Sequence, residues 1–387
     1  MTSPLAGLKV IEMAGIGPAP FAGMLLADMG AEVVRVDRLE PSGLGIAFPP
    51  RFDLLNRNKS SLAIDLKHSE GVATVATLID RADVLIEGFR PGVMERLGLG
   101  PERFQTSNSK LVYGRMTGWG QDGPLAAAAG HDLNYIAVTG ALASIGHTDG
   151  PPVVPLNLIG DFGGGALYLA MGLLAAVVSA RATGVGQTVD AAIVDGVVSL
   201  MTMQHSMNAM GMLSPERGAN LIDGGAPFYS VYRTLDGLWV SVAAIEPKFY
   251  RELVERMGLA NRNLPAQNDQ SNWPKLRQIF AEAFSKRTRA EWCDILERTD
   301  ACFAPVLSLE EAPLHPHNRS RRNHDLVGDV LTSAAAPRFS RSTSNGRRAA
   351  APVGADTAAS LSSWGFSLSD VDRLGEMGVI HRPTNES

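Results

Sequence analysis

The sequence predicts an α/β protein, a Rossmann-like large domain followed by a smaller α+β domain. Two observations predict it. From Leu8 to Gly118, short apolar strand-type runs alternate with helical segments at the spacing of βαβ crossovers. Beyond residue 225 the pattern changes to a hairpin followed by charge-rich helices.

The elements follow in order. LKVIEMA is a strand, APFAGMLLADMG has helical spacing and a closing glycine, and AEVVRVDR is a second strand. SSLAIDL, DVLIEGF and KLVYGRMTG add strands, with SEGVATVATLIDRA as a helix between the first two. Residues 162–181 form one long helix, and residues 188–212 one or two more. YRTLDGLWVSVAAI is a hairpin turning at Asp236-Gly237. From about residue 315 the chain is polar, with HNRSRRNHD and RFSRSTSNGRRAAAPVG reading as loop or extended chain returning to another surface.

Composition limits the function classes. The 387 residues, 45% hydrophobic and 19% charged, suffice for two or three domains with sizeable cores. A net charge of −5 provides no global field for nucleic acid or an anionic membrane. Two cysteines, Cys293 and Cys302, make no disulfide framework and suit a reducing cytoplasm. The N-terminus lacks a basic start and apolar run. The apolar stretch Ala166–Ala180 is shorter than a membrane span, and PTNES is not a peroxisomal signal. The turn AGIGPAP has Gly15 and Gly17 but no third fingerprint glycine, and Pro18 and Pro20 disturb it, which argues against a nicotinamide dinucleotide. Ligands of such sheets bind beyond the carboxyl ends of the strands, where Ile16, Arg38 and residues 88–92 fall.

Three polar residues stand in suggestive places. His131, in AGHDLNYIAVTG, occupies the first turn of a helix, where the positive end of the dipole favours a neutral imidazole. The alternative is that the His131–Asp132 pair caps a helix. Asp161 precedes a glycine triplet and a long apolar helix. It is either an N-cap or an acid–base group beside backbone N–H groups that could hold an oxyanion. Glu246 lies between a strand and Pro247, where it caps the next helix or orients a histidine. The other histidines fit surface, loop or core settings: His68, His147 and His381 in loops, His205 among helical methionines, and His315, His317 and His324 in the polar late segment. No zinc-type spacing is present, and the methionines from Met201 to Met212 read as core filler or as a sliding surface for acyl chains.

Taken together, PLAGLKVIEMAGIGPAPFAGMLLADMGAEVVRVDR, VLIEGFRPGVMERLGLG, YGRMTGWGQDGP, AGHDLNYIAVTG, PLNLIGDFGGG, GQTVDAAIVDG, NLIDGGAPFYSVYRT and AAIEPKFY resemble the alpha-methylacyl-CoA racemase family of the class III CoA-transferase superfamily. The resemblance runs from residue 4 to about 310. It implies a large CoA-binding domain (1–188), a helical linker (189–224), a small domain (225–325) and a return segment completing the large domain (326–387). It implies an interlocked homodimer whose active sites are shared between chains. The implied reaction interconverts (R)- and (S)-2-methylacyl-CoA thioesters by 1,1-proton transfer, with no cofactor, no metal and coenzyme A as part of the substrate. His131 and Asp161 are the implied acid–base groups, with Glu246 from the second chain holding His131. Ile16, Arg38, Lys59, Asp65, Leu66, Arg90 and Arg96 are the implied coenzyme contacts, and Asp132, Tyr135 and Asn157 line or support the site. A CoA-transferase of the same superfamily is the nearest rival. Such enzymes use the matching aspartate as a nucleophile, generally lack the histidine and carry a glycine-rich loop, whereas AAIEPKFY has no glycine cluster. An acyl-CoA-binding protein without catalysis would need no His131–Asp161 pair.

Overall fold

The computed structural model describes residues 2–40, 43, 45–344 and 346–380, so His381 and the PTNES terminus lie outside the described residues. The chain divides into two compact units. Met1–Thr139, Leu156–Leu200 and Arg322–Ser387 form the first; Gly140–Pro155 and Met201–Arg321 form the second.

In the first unit the alternating pattern folds as β1 (Lys9–Met13), α1 (Pro18–Asp28), β2 (Glu32–Asp37), β3 (Ser60–Ala63), α2 (Ser69–Asp80), β4 (Val84–Glu87), the short α3 (Val93–Arg96) and α4 (Phe104–Ser107), β5 (Val112–Thr117) and α5 (Asp132–Val138). With β6 (Thr188–Ala192) the strands make a six-stranded sheet in the order β3-β2-β1-β4-β5-β6, every neighbour pair parallel. Strands covered on both faces need no polar alternation, which is why Val33, Val34, Val84, Leu85 and Ile86 are all buried. The strand order reverses between β1 and β4, and in open parallel sheets ligands bind beyond the carboxyl ends of the strands at such a switch point. The chain enters α1 through Gly17, at φ +69°, followed by Pro18 at the first helical position.

The long apolar helix differs from its sequence reading. It begins at Leu158, not 162, as a π-helical segment (Leu158–Ala166) that continues into α6 (Leu167–Thr183). The joint span of 26 residues is long and apolar enough to cross a membrane by length and composition, so the expectation of a shorter stretch is corrected. In this fold α6 packs on β5 and β6, burying Leu169, Leu173, Ala176, Val177 and Ala180 and leaving Leu167, Met171 and Val178 exposed. Thr188–Ala192 also departs from expectation: it is the edge strand β6, and the helix α7 (Ile193–Leu200) starts only after it. The apolar run AAIV joins strand to helix without a break, which hides the boundary from periodicity. Helix α7 lies on the π-helical segment at a glycine-to-glycine crossing. A Cβ on Gly196 would stand 1.9 Å from the Gly164 carbonyl oxygen, and one on Gly164 would stand 2.6 Å from Val197.

The second unit holds α8 (Thr202–Ala209), β7 (Tyr229–Arg233), β8 (Trp239–Ala243), α9 (Pro247–Arg256), α10 (Trp273–Phe284), α11 (Arg289–Leu296), β9 (Phe303–Pro305) and α12 (Pro316–Arg321). Its three strands are antiparallel, and the hairpin turns at Asp236-Gly237 with Gly237 at φ +79°. Phe228, Leu253, Phe280, Phe284 and Trp292 form its core, each burial worth about 1.5–3 kcal/mol. Of the methionines expected as filler, Met207 is buried, whereas Met203, Met210 and Met212 are exposed.

The return segment, with β10 (His324–Val327), β11 (Val330–Ser333), α13 (Thr357–Ser363) and α14 (Leu368–Glu376), belongs to the first unit. It is tied there by chemistry. The buried carboxylate of Asp28 at the end of α1 accepts from Arg57 at 2.7 Å, Asn58 at 2.8 Å and Arg347 at 2.8 Å. Trp364 donates to Glu32 at 2.6 Å, and Leu361, Trp364 and Leu374 join Ile11, Val34, Leu78 and Leu85 in one core.

The glycine crossing sets a test. Gly196→Ala must push α7 off the π-helical segment, and overpacking of this kind costs about 1–3 kcal/mol. Urea denaturation should show that loss as a lower midpoint with an unchanged slope.

Candidate active site

Three pieces of the first unit converge where β1 ends: the turn Ala14–Gly17, the start of α5 and the π-helical segment. Asp161 is the fourth residue of that segment, so it is not the N-cap considered from sequence. Its half-buried carboxylate lies against the entry to α1. A Cβ on Gly17 would stand 3.2 Å from Asp161 Oδ2. Glycine at this turn therefore makes room for the acid as well as permitting the positive φ.

The glycines around Asp161 have a packing explanation that replaces the ligand-approach reading. Gly160 faces Asp132, whose Oδ1 would be 2.3 Å from an added Cβ; Gly164 faces Val197; Gly165 faces Ile193 and Pro18. The N–H groups expected to hold an oxyanion here are already engaged. The Asp161 N–H donates to Asp132 Oδ1 at 2.6 Å, the Gly160 N–H also bonds Asp132, and the Phe162 N–H reaches the Asn157 carbonyl at 3.3 Å.

His131 is the N-cap of α5, one position ahead of the first-turn place expected for it, with extended backbone and an exposed side chain. Its backbone is held on both sides. The His131 N–H donates to Asn134 Oδ1 at 3.1 Å, and its carbonyl accepts from the Asn134 N–H at 2.8 Å. Tyr135 donates its hydroxyl to the Gly130 carbonyl, and its ring meets Trp119 edge-on, centroids 4.7 Å apart. Gly118 and Gly130 admit that ring: a Cβ at either would fall 2.0 Å and 2.7 Å from it. Sequence reasoning passed over Trp119 and Gly160. The one signal available was a tryptophan flanked by glycines, GWG, just past a strand.

The electrostatics single out one group. Burial pushes the Asp161 carboxyl up to about 6, helped by the like charge of Asp132 and partly offset by a hydrogen bond from Asn157 and by the charge of His131. His131 and Asp161 thus lie within each other's field. Asp132 is also raised by burial. The Tyr135 phenol is raised by burial and by the Asp161 charge, against a lowering influence from Arg90. A carboxyl that titrates near neutrality can both take and give a proton at working pH.

The expected coenzyme contacts scatter along the carboxyl edge of the sheet. Ile16 follows β1 and rests on Gly45; Arg38 follows β2; Arg90 and Arg96 follow β4; all four side chains are exposed. Asp65 and Leu66 follow β3, with Leu66 packed partly on the core. Lys59 is a correction. It is 1% exposed, and its ammonium donates to Glu12 at 2.8 Å, Pro20 carbonyl at 2.8 Å and Asn56 at 3.1 Å. Three donors serve three acceptors, leaving none for a phosphate. In the second unit, Glu246 is the N-cap of α9 by position, yet its exposed side chain makes no capping bond. Among the described residues, no three His, Cys, Asp or Glu side chains gather where they could hold a metal ion.

The sequence profile of CoA-transferase family III matches residues 5–357. The chain is 44% identical over 378 residues to the alpha-methylacyl-CoA racemase of Mus musculus, covering 97% of each chain. It is 40% identical over 388 residues to the alpha-methylacyl-CoA racemase of Homo sapiens, again covering 97% of each. Among solved structures, a CAIB/BAIF family protein from Brucella suis superposes with a TM-score of 0.82 at 24% identity, over 94% of this chain and 100% of that one, which speaks for the fold.

Lys59 separates a structural role from a binding one. Lys59→Met strands the fully buried Glu12, and breaking a buried pair costs about 3–5 kcal/mol. The variant should melt well below the parent in a thermal scan, whereas Arg38→Ala should melt with the parent.

Proposed function

Because the chain belongs to CoA-transferase family III, we propose that it acts on coenzyme A thioesters as a racemase, interconverting (R)- and (S)-2-methylacyl-CoA by 1,1-proton transfer. The observation that carries this reading is the Asp161 carboxyl, pushed up to about 6 and lying within the field of His131. One of the two removes the α-proton. The electron pair of the broken C–H bond moves into the thioester carbonyl and gives an enolate. The other group, protonated, returns a proton to the opposite face, and solvent resets the pair. The reaction so written uses only the chain's own acid–base groups, and coenzyme A enters as part of the substrate.

An enolate oxygen needs donors, and those at Gly160 and Asp161 are spent. The N–H groups of Asp132 and Leu133 open α5 beside His131 and have no acceptor in a preceding turn, so they are the donors we assign. Arg38, Arg90 and Arg96 meet the phosphates, with Ile16, Asp65 and Leu66 along the same edge. Asn157 and Tyr135 hold the acid and the histidine in place. The protein acts as a homodimer with shared sites, in which Glu246 comes from the second chain and orients His131. The exposed apolar side chains Leu167, Met171 and Val178 of α6 are surface that a second copy would cover. The free cysteines Cys293 and Cys302 fit a cytoplasmic setting.

The test uses one enantiomer of a 2-methylacyl-CoA in heavy water without an acceptor acid. Deuterium should enter the α-carbon as optical purity is lost. No exchange, with CoA transfer once an acid is added, would overturn the proposal in favour of a transferase. His131→Ala should slow exchange by about 100-fold or more, as should Asp161→Ala.

The pH profile carries a sign. Protonating Asp161 removes the base form of the pair, so the exchange rate should fall as pH drops through about 6. A mixing experiment tests the shared site. His131→Ala and Glu246→Ala chains, each inactive alone, should regain activity when co-refolded, because each mixed dimer keeps an intact site. Persistent inactivity of correctly assembled mixed dimers would place Glu246 and His131 of one site on the same chain.

A further inference from the structure

Asp132 does something that its neighbours do not explain. It is a carboxylate only 7% exposed, in the first turn of α5, and it reaches out of its own helix to another. Its Oδ1 accepts the N–H of Asp161 at 2.6 Å and is also bonded by the N–H of Gly160, in the opening turn of the π-helical segment. A helix of that kind leaves its first N–H groups without acceptors in its own chain. Asp132 supplies the acceptor from outside. The fit is tight enough to dictate a residue on the other side, since any side chain at Gly160 would collide with Oδ1.

The second oxygen is unusual. Oδ2 of Asp132 is buried and has no hydrogen-bond partner, and among the described residues no cationic side chain pairs with this carboxylate. The buried Asp28, by contrast, is met by Arg57 and Arg347. The charge on Asp132 is therefore compensated only by two backbone N–H groups, and one of them belongs to Asp161 itself.

We propose that Asp132 is the positioning residue of the proton-transfer reaction: its carboxylate fixes the π-helical turn that aims Asp161 and sets an unpaired like charge beside the Asp161 carboxyl. This rests on the racemase reading above. The groups that face Asp161 support it. From α5 come His131, Asp132 and Tyr135, and from the segment itself comes Asn157, a neutral donor. At the entry to α1 Gly17 lies against the Asp161 carboxylate, while Pro18, Ile193 and Val197 pack on Gly164 and Gly165 of the same segment; none of these titrates. The acidic Asp195 of α7 acts on Asp190 of β6 instead. Asp132 is thus the like charge that acts on Asp161, and the direction of the Asp161 shift agrees with it.

Two variants separate this role from plain support of the fold. Asp132→Asn keeps an oxygen acceptor for the two N–H groups and removes the charge. Gly160→Ala keeps the charge and drives the carboxylate off its donors. In both, the acid limb of the α-proton exchange profile should move to lower pH than in the parent, because the field on Asp161 is weakened. Gly160→Ala should also lose about tenfold or more in kcat with KM little changed, since the acid is displaced from the α-carbon. A residue that only holds the fold would lower the melting temperature and leave the limb where it is. Exchange by the parent protein with an unmoved limb in both folded variants overturns the proposal, and so does failure of both to fold, which would make Asp132 a fold residue. Absence of exchange in the parent itself would instead overturn the racemase reading.

Discussion

Backbone-to-backbone packing around the π-helical segment governs much of the first unit. Gly17, Gly160, Gly164, Gly165 and Gly196 all sit where a Cβ would come within about 3 Å of a neighbour, and the neighbours belong to different elements: the segment itself, α5 and α7. A widened helical turn has a larger radius than an α-helix and fits among other helices only if side chains are removed from the contacts. The glycines remove them. What they give in exchange is burial of the one polar side chain that the segment carries inward. Asp161 is half-buried where glycine backbone packs closely beside the side chains of Asp132 and Asn157, and that burial is the main cause of its raised proton affinity.

The same unit treats its other buried carboxylates differently. Asp28 is surrounded by Arg57, Asn58 and Arg347 and is held below the usual carboxylate range, the hydrogen bonds and charges outweighing burial. Glu12 is matched to Lys59, with burial pushing each toward its neutral form and their mutual attraction opposing it. Those carboxylates join pieces of chain that are distant in sequence. Asp132 and Asp161 have no such cation beside them within the described unit except the field of His131. Compensated acids hold the scaffold together, and the uncompensated pair sits at the switch point of the sheet, where ligands of open parallel sheets bind.

Much of this was legible in the sequence, and the failures have physical causes. Strand and helix periods from Leu8 to Gly118 located five strands correctly, because a doubly covered parallel sheet writes itself as apolar runs. His131 and Asp161 stood out because a histidine and an aspartate each occupied a helix start with small residues around it. Asp161 was nonetheless taken for a possible N-cap, since local sequence cannot distinguish a π-helical turn from the loop ahead of an α-helix. Lys59 enters only through the resemblance, as an implied coenzyme contact, and its three acceptors, Glu12, Pro20 and Asn56, are partly remote in sequence. The bond from Asp132 to Asp161 links positions 29 apart and belongs to the tertiary fold alone.

The contact between Gly17 and Asp161 has one more consequence. The strand order is that of dinucleotide-binding proteins, and in those the turn after the first strand receives a diphosphate. Here that seat is occupied by a carboxylate, which repels phosphate and welcomes a neutral group. Under the proposed reading, a ligand with a diphosphate at one end and an uncharged thioester at the other would have its diphosphate repelled from this seat and taken by the arginines proposed for it, Arg38, Arg90 and Arg96. On that reading the acid would act as a direction sign before any proton moves, admitting the molecule acyl end first.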